Sequence, residues 1–166
     1  MYESFERSVA EEVYHYAGDV ITSPHLRREL QYRQHGSVSC YEHSVAVAFL
    51  SVRMARGFFI EVDMESLIKG ALLHDYFLYD WREDGVSRRD HGISHARRAL
   101  TNARQDFELS EIACDVIEKH MFPLNVALPR YKESYIVSIA DKLCASREIC
   151  RFLRRKVFSR PRSVSA

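Results

Sequence analysis

An all-α fold, one helical bundle, is what this chain of 166 residues predicts. Its 6 glycines and 4 prolines fall where helices should begin and end. Capping signals recur along the chain, and no stretch alternates apolar and polar residues as a half-buried strand must. Ser23-Pro24 reads as an N-cap followed by Pro at the first helical position, and Gly36 closes that segment. Ser39-Cys40-Tyr41-Glu42 is a capping box, whose Ser and Glu side chains each satisfy an orphan amide. The helix it opens runs through Val45, Phe49 and Val52 to Gly57. Asp63 caps a helix reaching His74, and Ser94 or a residue just before it starts one through Ala96, Ala99, Leu100 and Ala103. Ser110 caps another to His120, and Pro129 precedes the last long helix. Phe58-Phe59-Ile60 is too short for a strand and is open to a core or a contact role.

Composition narrows the function classes. Hydrophobic residues make up 46% and charged residues 28%, the balance of a globular protein rather than a disordered one. With 24 basic and 23 acidic residues the formal charge is +1, which argues against nucleic acid as a partner. No apolar run approaches the roughly 20 residues of a membrane helix, and Met1 to Ala10 hold no signal-peptide core. The expectation is a cytoplasmic protein without a membrane partner, and Cys40, Cys114, Cys144 and Cys150, with no C-x-x-C spacing, are expected as reduced thiols. Residues 1–150 are expected to form the all-α domain, with 151–166 as a basic helix end and tail. That tail carries six basic residues from Arg151 to Arg162 and no acidic one. It reads as the solvated C-terminus of a helix rather than an anion-binding arm.

Eight histidines are many for such a chain. Residues 109, 112, 113, 116 and 117 form an apolar face whose next position is His120, and Met64, Leu67, Ile68, Ala71 and Leu72 lead in the same way to Asp75, beside His74. His43 shares a face with Ala46, Val47, Leu50 and Met54, and Asp141 lies beside the apolar stripe of the last helix. A carboxylate turned into a core is destabilising unless it is paired or coordinates a metal. Imidazoles and carboxylates all directed inward suit Fe, Mn, Zn or similar divalent ions. His15, His25 and His35 share no spacing with this set and read as surface or cap residues, and Cys40, one turn before His43, reads as packing.

The order Tyr41-Glu42-His43-Ser44, Leu72-Leu73-His74-Asp75-Tyr76, His95, His120 and Ala140-Asp141-Lys142 resembles the HD-domain superfamily of metal-dependent phosphohydrolases. The resemblance spans roughly residues 35 to 148 and implies an all-α HD domain. It implies that His43, His74, Asp75 and Asp141 hold one metal, and that His95 and His120, with Asp75 bridging, hold a second. Asp75, His95 and His120 would then be catalytic, and the cofactor would be two divalent ions per chain, Fe or Mn ahead of Mg, Co, Ni or Zn. His91 competes with His95, which is favoured because its distance to Phe107 and His120 fits the related hydrolases better. The chain resembles in particular the bacterial HD hydrolases that cleave diadenosine tetraphosphate symmetrically, through its His-Asp-Tyr and Ala-Asp-Lys segments. It departs from them at Leu78, where they place a phosphate-contacting Lys three residues after the HD aspartate, and it has no GYP triplet. Arg82, Arg88, Arg89, Arg130 and Lys142 are the candidates to replace that cation. Tyr76 to Asp90, which includes Asp80 and the single Trp, Trp81, is expected over the site; Asp80, Arg82, Trp81 and Lys142 are the candidate substrate contacts.

The expected activity is hydrolysis of a phosphoester or phosphoanhydride in a small-molecule phosphate substrate, a nucleotide by preference. Two alternatives share the ligand set: a di-iron oxygenase like myo-inositol oxygenase, and a nucleotide-binding HD module without turnover.

Overall fold

The computed structural model describes residues 2–34, 37–80 and 88–158. It contains the helices α1 (Tyr2–Thr22), α2 (Pro24–Arg27), α3 (Cys40–Gly57), α4 (Met64–Leu73), α5 (Arg88–Asp106), α6 (Glu111–Lys119) and α7 (Lys132–Phe158), with a 3-10 turn at Arg28–Gln31 after α2. The fold is all-α; among the described residues the only β pairing is an isolated bridge between Arg33 and Ser39. No helix among them is long and apolar enough to cross a membrane.

The capping chemistry read from the sequence starts these helices. Ser23 accepts from His25 N, and Ser39 and Glu42 form both halves of the capping box. Asp63 accepts from Ser66 N at 2.7 Å and Ser110 from Ala113 N at 3.0 Å. Three expectations are corrected. The segment opened at Ser23 leaves the helix after Gln31, well before Gly36, which lies outside the described residues. α5 begins at Arg88 rather than near Ser94, so His91 and His95 share one helix. α1 was not expected at all; it docks on α3 and α4 through Val9, Val13, Ala17, Val20 and Ile21. Ala17 has non-helical φ/ψ, so the stripe breaks phase where a sequence reading needs continuity.

α3 and α4 form the centre, with α7 against α3 and α6 against α4. The inward face of α3 is Cys40, His43, Ser44, Val47, Ala48, Ser51, Val52 and Ala55. Ala46 is exposed and Leu50 and Met54 are half-buried, so the face lies about one residue around from the apolar set. Two buried serines, invisible to a count of apolar positions, account for the difference. α4 and α6 run side by side in the same direction. Their first turns are tied by Ser66 Oγ to Ser110 Oγ at 2.6 Å, and their far ends carry His74 and His120. Phe58 and Phe59 are 71% and 94% exposed, which excludes the core role.

Candidate metal centre

His74 and His120 are the C-caps of α4 and α6. A helix leaves its last carbonyls without amide partners, and both histidines answer that need in the same way. His74 Nδ1 donates to Ala71 O at 2.7 Å and His120 Nδ1 donates to Ile117 O at 2.8 Å. A carbonyl only accepts, so the proton is on Nδ1 and Nε2 presents its lone pair in the neutral ring. The two rings stand 4.8 Å apart at 79°. Two helix C-termini therefore converge on one point, and their partial negative charge favours a cation there.

The other members arrive from three directions. Asp75 follows His74 and is fully enclosed; its carboxylate lies 3.3 Å from His74, 3.5 Å from His95, 3.7 Å from His120 and 3.9 Å from His43. His95, on α5, places Nε2 3.0 Å from His120 Nε2. His43, on α3, has Nε2 3.0 Å from Asp141 Oδ1, and Asp141 stands on α7. The donor atoms fall into three overlapping groups: His43, His74 and Asp75; His74, His120 and Asp141; and Asp75, His95 and His120. Within each group they lie within 4.8 Å of one another.

This donor set fits divalent metal ions. His74 Nε2 and Asp75 Oδ1 are buried without a hydrogen-bond partner among the described residues. Such orphans are destabilising in a closed core, and a cation accepting both lone pairs removes the penalty. Donors at ~2.1 Å from a shared ion sit about 3.0–3.4 Å apart, near the spacings seen here. In the metal-free protein Asp75 and Asp141 are held ionised: burial opposes their charge, but His74 for Asp75 and His43 for Asp141 outweigh it. Burial opposes charge on His74 too, but Asp75 in turn raises its pKa, so His74 gives up a proton when its Nε2 takes a metal. Burial, then the neighbouring His74 and His95, pushes His120 down to about 3, which keeps its ring neutral. Burial also opposes charge on His43, yet Asp141 and Glu148 carry it up to about 10. In the metal-free protein, the His43 imidazolium is thus part of the positive charge that balances these carboxylates.

The remaining sequence candidates separate. Lys142 donates its ammonium to His120 O at 2.9 Å and Ser138 O at 3.1 Å, where it caps α6. Burial lowers its pKa, with Asp141 pulling the other way. Asp80 is half-buried and belongs to none of the three donor groups. Trp81 and Arg82 lie outside the described residues, as do the side chains of Arg88, Arg89 and His91. Arg130 is exposed, and its amide donates to Asp115. Cys40 is buried with Sγ 3.7 Å from Gln34 Oε1. His15 and His25 are exposed, and His25 pairs with Asp106.

Three residues that the sequence did not single out serve the site. Glu148, two turns after Asp141 on α7, holds His43 Nδ1 at 3.1 Å with both oxygens. Gln34, beside the bridge that leads into α3, donates Nε2 to Asp75 Oδ2. Glu29, in the 3-10 turn, is fully enclosed, and neither carboxyl oxygen has a hydrogen-bond partner among the described residues. Burial and then Asp75 push its pKa well above the ordinary 4.5. A carboxyl with a raised folded pKa binds more protons folded than unfolded, so its contribution to stability falls as pH rises above about 4.5. Glu29→Met, similar in length and without a polar atom to strand, should stabilise chelator-treated protein at pH 8 by about 1–3 kcal/mol. The gain should shrink below about pH 4.5 in urea unfolding, where the carboxyl is protonated in both states and only the cost of burying its neutral form remains. Equal stability at pH 8 would mean that the carboxyl is compensated.

No curated protein and no solved structure matched the chain. The model of the HD-domain family matches residues 40–146, from the first residue of α3 to five residues past Asp141. That span contains His43, the His74-Asp75 pair, His95, His120 and Asp141, all meeting in one buried centre of an all-α fold. The chain belongs to the HD-domain family.

Proposed function

We propose that this protein is a metal-dependent phosphohydrolase of the dinuclear HD branch, acting on a small phosphorylated molecule such as a nucleotide. The observation that carries the reading is the convergence of four imidazoles and two carboxylates, with His74 Nε2 and Asp75 Oδ1 lacking a hydrogen-bond partner among the described residues. His43, His74, Asp75 and Asp141 would hold one divalent ion; His95 and His120, with Asp75 bridging, would hold the second. Such ions lower the pKa of bound water and neutralise charge on phosphate oxygens.

The chain's own residues orient the donors. Ala71 O and Ile117 O lock the tautomers of His74 and His120, and Glu148 and Gln34 fix His43 and Asp75 from outside. Phe77, 1% exposed, packs its ring edge-on against His95, with the ring centres 6.0 Å apart, and so restrains that imidazole. Glu148→Ala removes the outer partner of His43 without removing a ligand. Metal affinity should fall ~10–100-fold, as for other outer-shell carboxylates, in competition titrations against a chromophoric chelator.

The test of the function is elemental analysis of protein purified without chelator, followed by turnover of nucleotide and phosphoanhydride panels with Mn²⁺ in the absence of oxygen. About two ions per chain and anaerobic phosphate release are expected. Turnover that needs oxygen and iron would replace this reading with the oxygenase, and binding without release over hours with the non-catalytic module.

A further inference from the structure

Immediately beyond the His74-Asp75 pair the chain makes a tight return. Phe77 N donates to Asp75 O at 2.8 Å, and Leu78 takes a left-handed φ of 53°. That conformation costs a non-glycine residue roughly 1–2 kcal/mol and persists only where its surroundings impose it. Asn102 supplies the constraint, its Nδ2 donating to both Tyr76 O and Phe77 O at 3.1 Å. The return lays Phe77, Leu78 and Tyr79 along one side of a cavity of about 590 Å³.

The other side is basic. Ser94, Arg97, Arg98 and Thr101 occupy one face of α5 at helical spacing, and Arg28 completes the rim. No carboxylate is among the described lining residues. Arg28 is paired with Asp106 at 3.4 Å, while Arg97 is exposed and has no ion-pair partner among the described residues. The Arg98 guanidinium lies 4.5 Å over the Tyr79 ring. Stacking engages its face and leaves its N–H edge for an anion. Ser94 adjoins His95 in sequence, so the basic face and the metal centre share a helix.

We infer that this pocket binds the polyphosphate of an anionic substrate through Arg97 and Arg98. The substrate identity rests on the hydrolase reading; the binding of a polyanion does not. Inorganic tripolyphosphate is titrated calorimetrically into the full, EDTA-treated chain at low ionic strength. Arg97→Glu, at an exposed position, should weaken binding about tenfold or more with unchanged circular dichroism, and Arg98→Gln should weaken it less. EDTA-treated Asp75→Asn should bind as the wild type does. Absence of binding, an Arg97→Glu titration like the wild type's, or loss of binding in Asp75→Asn would overturn the inference; the last would put the anion among the histidines. In turnover, Arg97→Glu should raise KM about tenfold with kcat within twofold, and an unchanged KM would overturn the substrate assignment. Tripolyphosphate binding that Arg97→Glu weakens, in a chain that hydrolyses nothing, would uphold the anion site and discard the hydrolase reading.

Discussion

Asp75→Ala should lose the metal centre and turnover together. Its carboxylate lies within 4 Å of all four imidazoles, and it is fully enclosed. Removing it withdraws a ligand from two of the three donor groups and leaves the imidazoles facing one another. The rate should fall below about 10⁻³ of wild type, at or beyond the ~10²–10³ lost with a single electrostatic donor. Metal per chain, measured on the same preparation, should fall with it. Asp75→Asn separates charge from volume: it keeps the shape that Gln34 holds, so a folded but metal-poor Asn variant is expected. An Asp75→Ala protein with full metal and full rate would sink the proposal.

Gly70→Ala should give the largest loss of stability from the smallest change. A Cβ on Gly70 of α4 would stand 2.6 Å from Val116 Cγ1 and 2.7 Å from Val116 Cβ on α6. Val116 Cβ is anchored to its backbone, so a change of rotamer does not relieve the contact and the helices must part. Overpacking of this kind costs about 1–3 kcal/mol, or a fall in Tm of roughly 2–12 °C for a chain of this size. The same separation moves His74 and His120, the C-caps of those two helices, so metal retention should weaken too. Val116→Ala on the Gly70→Ala background should recover only part of the loss, because its Cβ remains. A Gly70→Ala protein that melts with the wild type would show that α4 and α6 do not approach this closely.

The candidate site was legible where a chemically distinctive residue closes an apolar face. His120 follows the stripe of α6, and His74-Asp75 ends that of α4, because a helix that buries its stripe carries the next residue on that face inward too. Glu148, Gln34 and Glu29 gave no such signal. A glutamate on a long helix is ordinarily solvated, and only the approach of α3 to α7 shows that Glu148 faces His43. α1 was hidden by its kink at Ala17, and the inward face of α3 by two serines that pack as small core residues.

Local chemistry is written in the sequence. Caps at Ser23, Ser39, Asp63 and Ser110 start helices through contacts spanning two or three residues, and the order of histidines and aspartates carries the resemblance to the HD-domain family, whose model matches residues 40–146. Tertiary packing decided which polar groups support one another. It set the Glu148–His43 and Gln34–Asp75 pairs, the tie between Ser66 and Ser110, and the meeting of an arginine face with the Phe77–Tyr79 return. The physical reason is range. A cap is satisfied within its own turn, whereas a buried charge is satisfied only by groups that distant segments bring to it, and the free energy holding those segments together comes from apolar burial that is non-directional.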